Sequence, residues 1–164
     1  MQPDREAYMH QCIALAEIAL KNGNPPVGSV IVAQGGIIGR GVESGKSSKD
    51  ITNHAEILAI RDAISRGYLS LLCEAEIFST HEPCIMCSYV IRHHRIPRVV
   101  YGSAVSQVGG ATSKFDILGT EDVTRWGEKP QIIRGVCLAE CEELMARYAA
   151  ATEEKPNEDR RNSP

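Results

Sequence analysis

The sequence has no run of about 18 consecutive apolar residues, the length a helix needs to cross a bilayer. Its opening, MQPDREAYMH, has neither the basic flank nor the apolar stretch of a secretory signal. A cytoplasmic chain with no membrane association is expected. Cysteine is too sparse for a disulfide scaffold: Cys12, Cys73, Cys84, Cys87, Cys137 and Cys141 are the six in 164 residues. An excess of positive charge is also missing, because 18 Lys and Arg against 21 Asp and Glu leave a net charge of −3. The chain therefore has no global basic field of the kind that draws in a polyphosphate backbone, which weighs toward a small substrate. The exception is a local stripe, Arg92, His93, His94, Arg95 and Arg98, which could receive a tRNA backbone or be solvated helix surface.

What is present reads as one domain over residues 1–150 followed by a polar, disordered tail over 151–164, where TEEKPNEDRRNSP contains no aliphatic residue. From Arg5 to Asn22, Ala7, Ile13, Ala16 and Leu20 recur at helical spacing, and Gly23 stands where a C-terminal cap belongs. Val27–Ala33 and Ile37–Val42 read as a β-hairpin, and Glu43–Thr52 as a loop. His54–Arg66 is a helix that Thr52 or Asn53 would cap. Strands are expected at Ala75–Thr80, Pro97–Gly102 and Gln131–Val136, and helices at Cys84–Arg95 and Leu138–Ala150. The long connection 103–129 carries a short helix and covers something. Strands alternating with helices predict an α/β domain with one central sheet and helices on both faces, and the opening hairpin makes that sheet mixed.

The chemistry resides in His54-Ala55-Glu56 and, after residues 57–82, Pro83-Cys84-Ile85-Met86-Cys87. Both motifs open helices. Two thiols three residues apart at a helix start can face one point, where the first-turn amides favour their anionic form. With one imidazole they make a three-ligand N and S set that suits Zn²⁺, one per chain, and leaves a fourth position for water. Zinc lowers the pKa of bound water toward about 7. Glu56, two residues from a ligand, is placed to move protons. An H-x-E plus P-C-x-x-C pair with a non-ligating Glu marks zinc deaminases of cytosine or adenine rings.

On these motifs, together with PPVGSVIV, NHAEILAIRDA, HEPCIMC and RIPRVVYG, the chain resembles the cytidine-deaminase superfamily. The similarity is to the branch holding tRNA adenosine deaminases, guanine deaminases and fungal cytosine deaminase. The resemblance implies a three-layer α/β/α sandwich around a roughly five-stranded mixed sheet, assembled as a homodimer. It also implies base reading by an Asn near the end of the second strand, where this chain has Glu43. A carboxylate there suits a donor-rich ring such as guanine; alternatively Asn53 reads the base.

The leading expectation is a hydrolytic deaminase of a free nucleobase, nucleoside or related heterocycle, with a tRNA-specific adenosine deaminase making wobble inosine as the alternative. A non-catalytic zinc-stabilised binding module is the third reading. Val27, Glu43, Asn53 and Trp126 are the candidate substrate contacts, with packing the competing role for Trp126. Glu82 is either an orienting residue behind the metal site or plain structure. His10, His81, His93 and His94 are surface or core residues. Cys137 and Cys141, four apart on the last helix with no nearby histidine, are thiols of core or surface rather than ligands.

Overall fold

The computed structural model describes residues 4–153. Helix α1 (Arg5–Lys21) starts at Asp4, whose carboxylate accepts the Ala7 amide at 3.1 Å, and buries Met9, Cys12, Ala16 and Ala19 at three- and four-residue steps. Strands β1 (Gly28–Ala33) and β2 (Gly36–Val42) follow. The two residues between them, Gln34 and Gly35, have φ of 53° and 76°, the left-handed pair that matches the twist of a tight hairpin.

Helix α2 (Gly45–Ser48) is one turn inside the segment expected to be a loop. Helix α3 (Ala55–Ser65), strand β3 (Glu76–His81), helix α4 (Ile85–His93) and strand β4 (Arg98–Ser103) come next. The chain ends in strand β5 (Gln131–Arg134) and helix α5 (Leu138–Glu153). The last helix thus runs three residues past the expected boundary at Ala150, and the rest of the proposed polar tail lies outside the described residues. A 3-10 turn at Leu69–Glu74, absent from the sequence reading, precedes β3; the connection after β4 carries another at Thr124–Trp126.

The sheet order is β2-β1-β3-β4-β5, with β1 antiparallel to β2 and β3, and β3, β4 and β5 parallel. Strand periodicity divides the core in two. Ile31, Ile77, Val99 and Tyr101 face Ala59, Ile60 and Ala63 of α3 and Ile91 of α4. Their neighbours Val30, Val32, Phe78 and Val100 face Met9 and Cys12 of α1 and Cys141 of α5. The domain is the expected three-layer sandwich with a five-stranded mixed sheet.

One close approach fixes where α3 lies. A Cβ on Gly41 of β2 would collide with the Ala55 carbonyl and come within 2.6 Å of the Ala59 nitrogen. The backbone of α3 therefore rests directly on β2, which sets the depth of the helix start in the sheet.

Candidate active site and metal centre

Register places the site. Gly28 pairs with Val42 and Ser29 with Ser79, so the start of β1 and the ends of β2 and β3 lie at one end of the strands. The chain leaving β3 enters α4, and α3 begins at the same end. His54 and Cys84 are the N-cap residues of α3 and α4, both with extended backbones, and neither uses its side chain as a cap. Each is thereby free to face the other. His54 Nδ1 lies 3.5 Å from Cys84 Sγ and 3.5 Å from Cys87 Sγ.

Those separations fit zinc. Zn–S of about 2.3 Å and Zn–N of about 2.0–2.1 Å at a tetrahedral angle put N and S about 3.6 Å apart. The caps that the two ligands forgo come from elsewhere. Glu43 Oε2 accepts the Ala55 amide at 3.2 Å, and the Val108 carbonyl accepts the Ile85 amide at 2.9 Å. Neither Thr52 nor Asn53 caps α3, as the sequence had suggested.

Charge in the cluster is unevenly held. A hydrogen bond from Cys87, and the imidazole of His54, draw the Cys84 thiol down to about 4 against the opposing effect of burial. Cys84 in turn raises His54 to about 9. Cys87 is raised by its hydrogen bond to Cys84 and by burial. The Cys84 sulfur thus favours its anionic form beside the imidazole.

Glu56, 3% exposed, sits behind this cluster. Its Oε1 accepts from Ser79 Oγ at 2.9 Å, and its Oε2 lies 3.4 Å from Cys87 Sγ. Burial lifts its pKa above the ordinary carboxylate value. A carboxyl group so placed can hold a proton between two steps of a reaction. Ser79 was not singled out from sequence, although a Ser within the apolar strand AEIFST was the available signal.

Glu82 is buried and satisfied by four donors. Its Oε1 accepts the amides of Ala111 and Thr112 at 2.9 and 2.7 Å, and its Oε2 accepts the Val105 amide at 2.7 Å and the Thr112 hydroxyl at 2.5 Å. It thus folds the 105–112 loop around the start of α4, where the Pro83 carbonyl also accepts the Gly110 amide at 2.9 Å.

A cleft of about 400 Å³ opens beside His54, lined by Pro25, Glu43, Lys46, Lys49, Ile51 and the backbone of Gly45. Glu43 is at its wall, but both oxygens accept backbone amides, Oε1 from Gly45 at 2.9 Å and Oε2 from Ala55. Asn53 is likewise engaged, donating to Ser48 Oγ at 3.0 Å and accepting from Arg61 Nη1 at 3.1 Å. Val27 is buried, and its carbonyl accepts the Glu43 amide at 3.0 Å. Trp126 does not line the cleft; it packs edge-on against Tyr89 at 5.6 Å, with the Arg92 guanidinium 5.1 Å from its ring centre. The lysines and Ile51, which is 74% exposed, were not identified from sequence.

The basic stripe is largely structural. Arg92 is 1% exposed, and its Nη1 donates to the carbonyls of Ile117, Leu118 and Thr120 at 3.2, 2.9 and 2.9 Å. Arg98 pairs with Glu76 at 2.7 Å, and Arg95 donates to the Arg125 carbonyl at 3.0 Å. Cationic groups beside the cleft come instead from Lys46 and Lys49. No helix among the described residues is long and apolar enough to cross a membrane.

Residues 2–103 match the pattern described as the cytidine and deoxycytidylate deaminase zinc-binding region. A tRNA-specific adenosine deaminase of Streptococcus pyogenes is 37% identical over 141 residues, covering 86% of this chain and 87% of that protein. A tRNA-specific adenosine deaminase of Aquifex aeolicus is 34% identical, covering 88% of this chain and 93% of the relative. Among solved structures, one from work on A-to-I editing by tRNA:A34 deaminases superposes with a TM-score of 0.77 at 28% identity, covering 84% of this chain and 98% of that one. These matches overturn the expectation of a free nucleobase or nucleoside as substrate, with tRNA the less favoured partner. That expectation leaned on the acidic balance, a whole-chain average, and on Glu43 at the usual Asn position, where both carboxylate oxygens are taken by backbone amides. The chain belongs to the cytidine and deoxycytidylate deaminase zinc-binding family and is a zinc-dependent hydrolase of C–N bonds in cyclic amidines, with one zinc ion at this His, Cys and Cys cluster.

Proposed function

We propose that this chain converts adenosine to inosine in tRNA, at the wobble position of the anticodon. The observation that carries the reading is the match, along more than four-fifths of both chains, to proteins named tRNA-specific adenosine deaminase. The site supports it: a zinc-binding cluster and a buried carboxyl group lie beside a cleft with lysines at its edge. A tRNA substrate also fits a cytoplasmic site of action.

His54, Cys84 and Cys87 hold the metal, which when bound supplies a water acidic enough to attack at neutral pH. Glu56 takes a proton from the attacking water and passes it to N1 of the ring as the C6–O bond forms, then moves the remaining hydroxyl proton to N6 as the C6–N6 bond breaks and the C6=O bond forms. Inosine and ammonia are the products. Ser79 keeps the Glu56 carboxyl aimed, and Glu82 holds the loop that closes over the start of α4. Reaching C6 requires the base to leave its stack, which an unpaired anticodon nucleotide does at little cost. Lys46 and Lys49 meet the flanking phosphates.

The test is inosine formation by the zinc-loaded chain in an anticodon stem-loop bearing adenosine at position 34, with Glu56→Gln as the control. Inosine in the stem-loop that the variant fails to make supports the proposal. Ammonia release from guanine or cytosine with no inosine in the stem-loop overturns it.

A further inference from the structure

Away from the deaminase site, the first and last helices bring together a second set of metal-ligating side chains. His10 on α1 places Nε2 3.3 Å from the Glu140 carboxylate oxygens and 3.8 Å from Cys137 Sγ. One ligand atom of each lies within 4.8 Å of the others. Cys137 stands just before α5 and Glu140 in its first turn, whereas His10 is 127 residues from Cys137 in sequence. No sequence pattern joins them; only the packing of α1 against α5 does.

We propose that His10, Cys137 and Glu140 form a second binding site for a divalent transition cation of the zinc class, clamping α1 to α5. The spacing fits: zinc bond lengths at a tetrahedral angle put N and O about 3.4 Å apart, and N and S about 3.6 Å apart. The donor set of imidazole, thiolate and carboxylate selects zinc, cobalt or nickel over magnesium or calcium. The local charge favours a cation as well, because the carboxylates of Glu140 and Glu6 both bear on the Cys137 sulfur. Glu6 lies one turn before His10, on the same face of α1. On binding, the Cys137 S–H bond breaks, its proton passes to solvent, and the sulfur takes the metal in its place. His10 and Glu140 are each 52% exposed, so the ion exchanges readily and binds more weakly than at the buried cluster of His54, Cys84 and Cys87. A clamp between segments so far apart in sequence constrains the unfolded chain strongly and should raise Tm.

The experiment uses the full chain with its first equivalent of zinc bound. Cobalt is added under reducing conditions, and the second equivalent is followed by thiolate-to-cobalt absorption and by metal analysis. The expected result is a second equivalent in the wild type, with the absorption lost in Cys137→Ser and the second equivalent lost in both Cys137→Ser and His10→Ala. Both variants should keep the first zinc, and Tm should rise with added metal in the wild type alone. A wild type that takes no second equivalent overturns the proposal and leaves His10 and Glu140 as a surface ion pair. Retention of the second equivalent in both variants also overturns it, by placing that ion elsewhere.

Discussion

Ser79 Oγ donates to Glu56 Oε1 at 2.9 Å, linking the last buried part of β3 to the first turn of α3. A buried carboxyl group with two rotatable bonds beyond its Cβ would otherwise sample several orientations behind the metal cluster. Ser79 is accordingly a positioning residue under the proposed function. Ser79→Ala is expected to lower kcat about 5- to 10-fold, the equivalent of about 1 kcal/mol for one hydrogen bond, with zinc content and KM unchanged. Glu56→Gln keeps the shape but cannot cycle a proton, and should lower kcat by at least about 100-fold. Steady-state kinetics with metal analysis separate the two; a Ser79→Ala enzyme with normal kcat would remove Ser79 from the site.

Glu43 illustrates a different division of labour. Because His54 turns its side chain to the metal position, the amide at the start of α3 needs another acceptor, and Glu43 supplies it while its second oxygen holds Gly45. Glu43→Ala leaves two amides without these partners and is expected to destabilise the fold by about 1–3 kcal/mol. It should also weaken zinc retention, because the residue before Ala55 is His54. Glu43→Gln, which keeps an oxygen acceptor, should recover part of both losses. Thermal denaturation and competition with a chromophoric chelator provide the readouts. Equal behaviour of Glu43→Ala and wild type in both would show that the carboxylate does not position α3.

The clustering of His54, Cys84 and Cys87 was legible in the sequence because each lies at a helix start and the C-x-x-C and H-x-E spacings are local. The strands were legible too, since Ile31, Ile77 and Val99 alternate with Val30, Phe78 and Val100. The identity of the helix caps was not. Thr52 and Asn53 are good cap types by propensity, but the chain places His54, turned toward Cys84 and Cys87, at that position and fetches the acceptor from Glu43, 12 residues away. Arg92 misled in the opposite direction. As one member of a basic run it reads as surface, and only the fold shows it turned inward to three loop carbonyls. His10 and Cys137 could not be paired by any local pattern.

The inward turn of Arg92 has its own consequence. A buried guanidinium holding the 117–120 segment and resting near Trp126 ties the long connection to α4. Arg92→Met conserves much of the volume but removes every donor. Losing hydrogen bonds from a charged group, at about 1.5–3 kcal/mol each before compensation by water, should destabilise by about 3 kcal/mol or more. Chemical denaturation measures this. Arg92→Lys should rescue only in part, because one ammonium cannot reproduce the planar fork. An Arg92→Met protein as stable as wild type would mean that the loop carbonyls find water at no cost.

The lysines at the cleft bear on the substrate itself. The whole chain carries a net charge of −3, so attraction to RNA must come from local groups, and Lys46 and Lys49 are the cations lining the cleft beside His54. Each phosphate neutralised on a single strand releases counterions and contributes about 0.7 to the slope of log K against log salt. The double variant Lys46→Ala, Lys49→Ala should therefore bind the anticodon stem-loop more weakly at low salt. Its salt slope should be shallower by about 1.4 if both lysines meet phosphate, and by about half that if Lys46 instead stays near the Tyr148 ring, 6.0 Å away. Zinc content and kcat at saturating RNA should not change, since neither lysine touches the metal cluster or Glu56. An unaltered slope would place the RNA backbone on another face and leave the cleft to the base alone.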